Sequence, residues 1–175
     1  MKKTSLIAVN ILTFLMLSCQ GSENQLTQYQ KQEIIASASE VVKKVFDHSN
    51  NLNFVKGLDH YSGAPDSYYI TDGVLHSLDD LKQQYREIGP SVERLHNTIQ
   101  SWNAQVISKD VVNFVLPVNL KLKLKGIPEF EGQLVWTATV QKQKNEWMIV
   151  QSHESWLNCA EVAEAFSPAN DKDDK

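Results

Sequence analysis

Cys19 is the residue whose position points most directly to a chemical reaction. It follows Lys2 and Lys3, an apolar run from Leu6 to Leu17, and Ser18. A basic start, a short apolar run and a small residue before cysteine are typical of a bacterial lipoprotein export signal. The run is shorter than the roughly 20 residues that a transmembrane helix needs. We therefore expect residues 1–18 to be cleaved and Cys19 to carry a lipid that anchors the protein to a membrane.

Two other interpretations of this segment remain open at the sequence level. Met16 stands three residues before the cysteine, where lipoprotein signals prefer a branched aliphatic residue. Ordinary signal peptidase cleavage would need an Ala-x-Ala pair, which the end of the run lacks. A core helix over the same residues fits poorly with the two lysines at the N-terminus. We expect a protein of the bacterial cell envelope, on the periplasmic or cell-surface side.

Histidine spacing argues against a metal centre. The five histidines form no His-x-His or His-Glu-x-x-His pattern, and no cysteine pair accompanies them: His48, His60, His76, His96 and His153. The chain also lacks a Gly-rich phosphate loop and a Gly-x-Ser-x-Gly elbow. We therefore expect neither a metal nor another cofactor.

Composition restricts the partners and the size of the fold. Removing residues 1–18 leaves 157 of 175 residues, which suits one domain, and takes the net charge from −4 to about −6. Nucleic acid is an unsuitable partner because binding to phosphates needs a basic surface. If Cys19 is acylated, Cys159 has no partner and the fold forms without a disulfide.

Helical patterns occupy the first half of the mature chain. Residues 19–32 are polar and rich in glutamine, which predicts a flexible tether. Apolar residues at helical spacing between Ile34 and Phe46 predict a first helix, and a short second helix is expected over Asn53 to Tyr61. Ser77, with a carboxylate three residues later, predicts the start of a third helix.

Strand patterns follow. Apolar residues alternate from Leu116 to Leu124 and from Leu134 to Val140, and further strands are expected over Leu95 to Ser108 and Glu146 to Trp156. Helices followed by long antiparallel strands predict an α+β fold. We expect one domain over residues 33–160 and a short C-terminal extension over 161–175 with a disordered tail.

The order of several short segments resembles the nuclear transport factor 2-like superfamily, which includes the SnoaL-like polyketide cyclases. These segments are Tyr61 with Ala64-Pro65-Asp66, then Asp72-Gly73, and finally Trp147-x-Ile149-Val150-x-x-His153-x-Ser155. The resemblance implies a cone, in which a curved antiparallel or mixed sheet wraps around about three N-terminal helices and encloses a pocket. Members of this superfamily isomerise, dehydrate, cyclise or only bind, so fold alone does not determine function. The resemblance also implies a homodimer through the outer face of the sheet.

In relatives, the final-strand positions that correspond to Glu154 tend to face the pocket. A carboxylate in an apolar cone would have a raised pKa and could act as a general base. The alternative is that Glu154 is solvated at the mouth of the cone. Asp66 and Tyr69 are candidates for a second catalytic group, although neither aligns with a known catalytic pair and Asp66 also suits a turn.

Alternate positions on the last two predicted strands should line the pocket. These are Leu134, Trp136, Ala138, Val150 and Ser152, with Glu154 toward the open end. Such a lining suits an apolar small molecule. We favour a non-catalytic or ligand-binding envelope lipoprotein, and the alternative is a cofactor-independent lyase or isomerase that uses Glu154 as its general base.

Overall fold

The computed structural model describes residues 26–158, so the predicted export signal, Cys19 and the predicted C-terminal extension lie outside the described residues. The helices are α1 (Gln28–Asn50), α2 (Phe54–Gly57) and α3 (Leu78–Ile88), with short 3₁₀ turns at Leu58–His60 and Gly89–Ser91. The strands are β1 (Tyr68–Thr71), β2 (Val74–His76), β3 (Val92–Ile99), β4 (Asn103–Ser108), β5 (Val111–Leu124), β6 (Phe130–Gln143) and β7 (Glu146–Trp156). These elements confirm the predicted α+β class.

Helix α1 begins earlier than the sequence pattern predicted. Thr27 caps it, because the Thr27 hydroxyl accepts the Gln30 N–H at 3.2 Å while the Gln30 side chain accepts the Thr27 N–H at 2.9 Å. This reciprocal pair satisfies two N–H groups that a helix start otherwise leaves exposed. The predicted tether over 19–32 is therefore wrong for residues 28–32, which are helical. Their polarity reflects an exposed first part of the helix.

The remaining helices follow their sequence patterns. Ser77 and Asp80 form the predicted cap of α3, since the Ser77 hydroxyl accepts the Asp80 N–H at 3.2 Å. Ala38 and Val42 of α1 are fully buried, and Leu81 of α3 is 2% exposed. Helices α1 and α3 thus each bury one face against the sheet. Within residues 26–158, no helix is long and apolar enough to cross a membrane.

The seven strands form one mixed sheet. Its order is β2-β1-β7-β6-β5-β3, and β4 pairs with the other half of β5. Strands β1 and β7 run parallel to each other, and the other pairs are antiparallel. Alternate residues of β5 and β6 point toward the helices and form half of the buried core cluster; they are Val112, Phe114, Leu116, Val118, Leu134, Trp136, Ala138 and Val140.

The region predicted as one strand from Leu95 to Ser108 forms two strands. Strand β3 pairs with β5 as far as Ile99 opposite Val118, and β4 resumes at Asn103 opposite Val115. Pro117 lies in the gap and has no N–H to donate to a neighbouring strand. The ladder is therefore interrupted at the proline, and β3 and β4 each cover one half of β5.

Candidate functional site

A cavity of about 570 Å³ lies between the helices and the inner face of the sheet. This volume is within the usual range for sites that bind small molecules. Aliphatic residues of β3, β5 and β6 form one wall, namely Val92, Leu95, Val118, Leu120, Leu122, Leu124 and Leu134. Val45 and Phe46 of α1 and Ile88 of α3 lie in the facing wall.

Aromatic rings form much of the remaining surface. Phe46 and Trp136 meet edge to face with centroids 5.4 Å apart. Phe54 and Tyr85 stack nearly parallel at 5.5 Å, with an angle of 13° between the rings. Such ring pairs hold one another in place because their quadrupoles favour these geometries. The cavity therefore has a preformed aromatic lining rather than a flexible one.

Glu154 is the acidic group on the sheet side of the cavity. It lies on β7 directly opposite Trp136 of β6, and both side chains line the cavity. Burial among apolar side chains raises the pKa of Glu154 from its ordinary value of 4.5 to about 7, and repulsion by the Asp72 carboxylate adds to the rise. Glu154 can therefore be protonated or ionised near neutral pH, as a general base or acid requires.

Asp72 reaches the same cavity from the turn between β1 and β2. Its backbone has a φ of 50° and that of Gly73 has a φ of 77°, the left-handed values of a tight hairpin turn. Aspartate tolerates this conformation better than most residues. The Asp72 Oδ1 atom accepts a hydrogen bond of 3.0 Å from Trp156 Nε1, which holds the carboxylate beside the end of β7.

Tyr61 and Tyr85 are two further polar residues of the lining. Burial raises the pKa of both phenols well above the ordinary value, and the nearby Glu154 carboxylate raises the pKa of each further. Both therefore remain protonated and can act as hydrogen-bond donors at physiological pH. Glu154, Asp72, Tyr61 and Tyr85 come from four different segments of the chain, yet all four line one cavity.

Several solved structures have a fold similar to that of this chain. A protein from Novosphingobium aromaticivorans, provisionally assigned as a scytalone dehydratase, superposes with a TM-score of 0.67 at 11% identity, covering 74% of this chain and 88% of that one. The hexachlorocyclohexane dehydrochlorinase LinA-type3 from Novosphingobium barchaimii gives 0.64 at 10% identity, covering 75% and 91%. A nuclear transport factor 2-like protein of unknown function from Shewanella oneidensis gives 0.53 at 19% identity, covering 71% and 98%.

The chain has the nuclear transport factor 2-like fold. This confirms the resemblance drawn from the sequence, at the level of the fold. No family model and no curated protein matches the sequence. Identities between 10% and 19% do not transfer an activity from these structures to this chain.

Within this nuclear transport factor 2-like fold, the residues predicted to line the pocket lie in three different places. Leu134, Trp136 and Glu154 line the cavity. Ala138 and Ser152 are buried on the same inner face without lining the cavity. Val150 instead lines a groove on the outer side of the sheet, together with Tyr68, Thr139 and Gln151.

The placement of Val150 corrects the prediction, and its cause is a β-bulge. Thr139 pairs with Gln151, whereas Val140 pairs with Ile149, so Val150 is an extra residue in β7. A bulge shifts the alternation of side chains by one position. Ile149, which is fully buried, takes the inner place that the alternation had predicted for Val150.

Asp66 and Tyr69 do not meet Glu154 in the cavity. Asp66 lies in the outer groove with Val150. Tyr69 is fully buried, and its hydroxyl donates to the Ser62 carbonyl at 2.6 Å. Burial raises the pKa of Tyr69 to about 12. Its role is therefore to hold β1 against the segment after α2, and the structure gives neither residue a place beside the candidate base.

The sequence interpretation missed Asp72, Tyr61 and Tyr85 as site residues. Tyr61 and Asp72 entered only as segments of the superfamily resemblance, and Tyr85 only as a position within the predicted third helix. The signal available in the sequence was that each of these residues has a titratable side chain. Only the fold brings the three side chains together. Among residues 26–158, no group of three or more histidine, cysteine, aspartate or glutamate side chains could hold a metal ion.

Proposed function

We propose that the cavity binds one small apolar molecule and that Glu154, aided by Tyr61 and Tyr85, orients the polar end of that molecule. The observation that carries this proposal is the convergence of these three groups on an apolar cavity of about 570 Å³. Sites for small molecules commonly combine an apolar wall with a few well-placed polar groups. The apolar wall provides affinity through burial, and the polar groups determine the orientation of the ligand.

A neutral, environment-sensitive dye such as phenylnaphthylamine tests this proposal. We expect saturable fluorescence enhancement with wild-type protein and a loss of about tenfold or more in affinity for Leu122→Trp, which adds bulk to the cavity wall. Val115→Trp is the matched control, because Val115 lies on the same strand with an outward side chain that is 44% exposed. Equal binding by both variants would place the ligand elsewhere and contradict the proposal.

The second candidate function is a cofactor-independent lyase or isomerase. The pKa of about 7 at Glu154 favours it, because a carboxylate of this basicity can remove a proton from a carbon next to a carbonyl. The protonated phenols of Tyr61 and Tyr85 would then donate hydrogen bonds to the oxygen on which negative charge develops. The names of the dehydrochlorinase and of the provisional dehydratase indicate elimination reactions, which are consistent with a lyase of this fold.

Product analysis distinguishes binding from catalysis. Compounds that raise the melting temperature of the protein would be incubated with wild type and with Glu154→Gln, and the products separated by mass. For an enzyme, the glutamine variant should lose about two to four orders of magnitude in rate while it still binds. A binding protein should give no product with either form.

We further propose that the protein is a lipoprotein of the cell envelope, anchored through a lipid on Cys19. The support is the lysine pair, the short apolar run and Ser18 before the cysteine. Multiple acyl chains would hold such a terminus firmly, at about 0.8 kcal/mol per buried methylene. We expect Cys19→Ser to leave the protein uncleaved or soluble, whereas wild type should fractionate with membranes. The homodimer through the outer face of the sheet stays a prediction.

A further inference from the structure

The cavity combines two acids with no basic side chain. Of the described residues that line it, Glu154 and Asp72 are acidic, and none is a lysine, arginine or histidine. The lining is otherwise aliphatic, aromatic or neutral polar. Burial among these side chains costs the Glu154 carboxylate its hydration and gives it no ion pair in return, so the charged form of Glu154 is disfavoured. Two carboxylates in one cavity also repel each other, as the raised pKa of Glu154 reflects.

Aromatic rings surround the same acids. Trp136 is the direct cross-strand neighbour of Glu154, and Trp156 donates its indole N–H to Asp72. Tyr61 and Tyr85 lie close enough to Glu154 for its charge to affect their pKa values. Aromatic faces attract an ammonium group electrostatically, most strongly in tryptophan and most strongly when water is excluded.

We propose that the ligand of this cavity is an amphiphilic organic cation, an amine or quaternary ammonium group on an apolar body. This rests on the proposed binding function and specifies its ligand. The positive group would lie against Glu154 and Asp72 between the aromatic rings, and the apolar body would extend along the aliphatic wall of β5. Such a ligand relieves the repulsion between the acids and supplies the charge that the lining residues lack. A ligand carboxylate would instead add a third negative charge.

The proposal makes the pH dependence of binding predictable. Among the described residues, three titratable groups face Glu154: Asp72 from the β1–β2 turn, Tyr61 from the segment after α2 and Tyr85 from α3. The residues of α1 that line the cavity include no titratable group. A cation binds the ionised form of Glu154, so its affinity should rise with pH up to about 7 and then level off. A neutral hydrogen-bond acceptor prefers the protonated carboxyl, and its affinity should fall over the same range.

Three probes with one shared body test the charge preference by calorimetry. Each is a phenylbutyl chain, and it ends in trimethylammonium, in the uncharged tert-butyl isostere or in carboxylate. We expect the cation to bind at least about tenfold more tightly than the isostere at pH 8. Glu154→Gln should lower this ratio several-fold without weakening the isostere, because Asp72 and the aromatic rings remain. Glu146→Gln, an exposed position on the same strand, removes the same charge and should leave the ratio unchanged.

The outcomes separate this inference from the function on which it rests. Equal binding of the cation and the isostere, tighter binding of the carboxylate, or a ratio unaffected by Glu154→Gln would overturn the inference and leave apolar binding intact. Failure of all three probes and of the neutral dye would overturn both. If the glutamine variant does not fold, the wild-type pH profile decides, since an affinity for the cation that falls between pH 6 and pH 8 contradicts the proposal.

Discussion

Trp156 at the end of β7 donates its indole N–H to Asp72 in the β1–β2 turn, at 3.0 Å. The bond joins two segments that lie 84 residues apart in the sequence, beside the cavity that both residues line. It keeps the Asp72 carboxylate close enough to Glu154 to raise the pKa of that residue. The geometry of a surface turn therefore adds to the effect of burial on the protonation of a group inside the cavity.

Asp72→Asn should lower the pKa of Glu154. Asparagine tolerates the positive φ of 50° at this position, so the turn should persist while the repulsive charge disappears. Because burial is the larger cause of the shift, the pKa should remain above its ordinary value of 4.5. Carboxyl carbon chemical shifts across a pH titration would measure the change. Asp79→Asn, on the exposed side of α3, is the control, and an unchanged Glu154 pKa in the Asp72 variant would contradict the coupling.

Glu154 should make the folded state less stable as the pH rises. Its folded pKa is about 7 and its ordinary value is 4.5, so between these values the folded protein binds more protons than the unfolded chain. The free energy of unfolding therefore falls as the pH rises from about 4.5 to about 7, by on the order of 3 kcal/mol from this one group. The loss is complete above the folded pKa.

Glu154→Gln removes this ionisable group, so it tests whether ionisation of Glu154 lowers the free energy of unfolding. At pH 8 the variant should be more stable than wild type by an amount of that order, and at pH 4 the two should be similar. Urea denaturation of both proteins across the pH range measures the difference. Glu146→Gln, exposed on the same strand, should follow wild type throughout. If the free energy of unfolding of Glu154→Gln falls with rising pH as steeply as that of wild type, Glu154 is not buried as described.

Local sequence patterns predicted those features of the fold that depend on neighbouring residues. The Ser77 cap of α3 and the alternation in β5 and β6 follow from side chains within a few positions of each other. The bulge at Val150 depends instead on the register between β6 and β7, which no local pattern contains. One extra residue reversed the predicted face of Val150 while Glu154 kept its inward direction.

The polar site was harder to predict because it is assembled from distant segments. Strand alternation and the resemblance to a superfamily together predicted that Glu154 faces the pocket. Tyr61 and Asp72 were recognised only as parts of that resemblance, and Tyr85 only as a position in a predicted helix, so none of the three was predicted to lie in the site. Their convergence depends on the parallel pairing of β1 with β7, a contact between segments about 80 residues apart.

Trp136 and Trp147 should differ in their contribution to stability. Trp136 is 8% exposed and packs edge to face on Phe46, so Trp136→Ala should cost about 3–5 kcal/mol. Trp147 is half-buried, and its indole donates to the Ser37 hydroxyl at 2.9 Å near the surface. Trp147→Ala should therefore cost less. Chemical denaturation compares the two directly, and an equal or reversed order would contradict the placement of Trp136 in the core.

Gly132 is required by the rings that pack over it. A Cβ atom added there would lie 2.6 Å from both Phe130 Cε1 and Trp156 Cζ3, so Gly132→Ala must displace at least one ring. We expect a loss of about 1–3 kcal/mol in stability, as for other overpacked positions. Displacement of Trp156 would also strain its bond to Asp72, and the pKa of Glu154 should then fall. Gly63→Ala is the matched control, because its added Cβ meets nothing closer than 3.7 Å. If Gly132→Ala leaves stability, tryptophan fluorescence and the Glu154 titration unchanged, Trp156 does not hold Asp72 at the cavity as described.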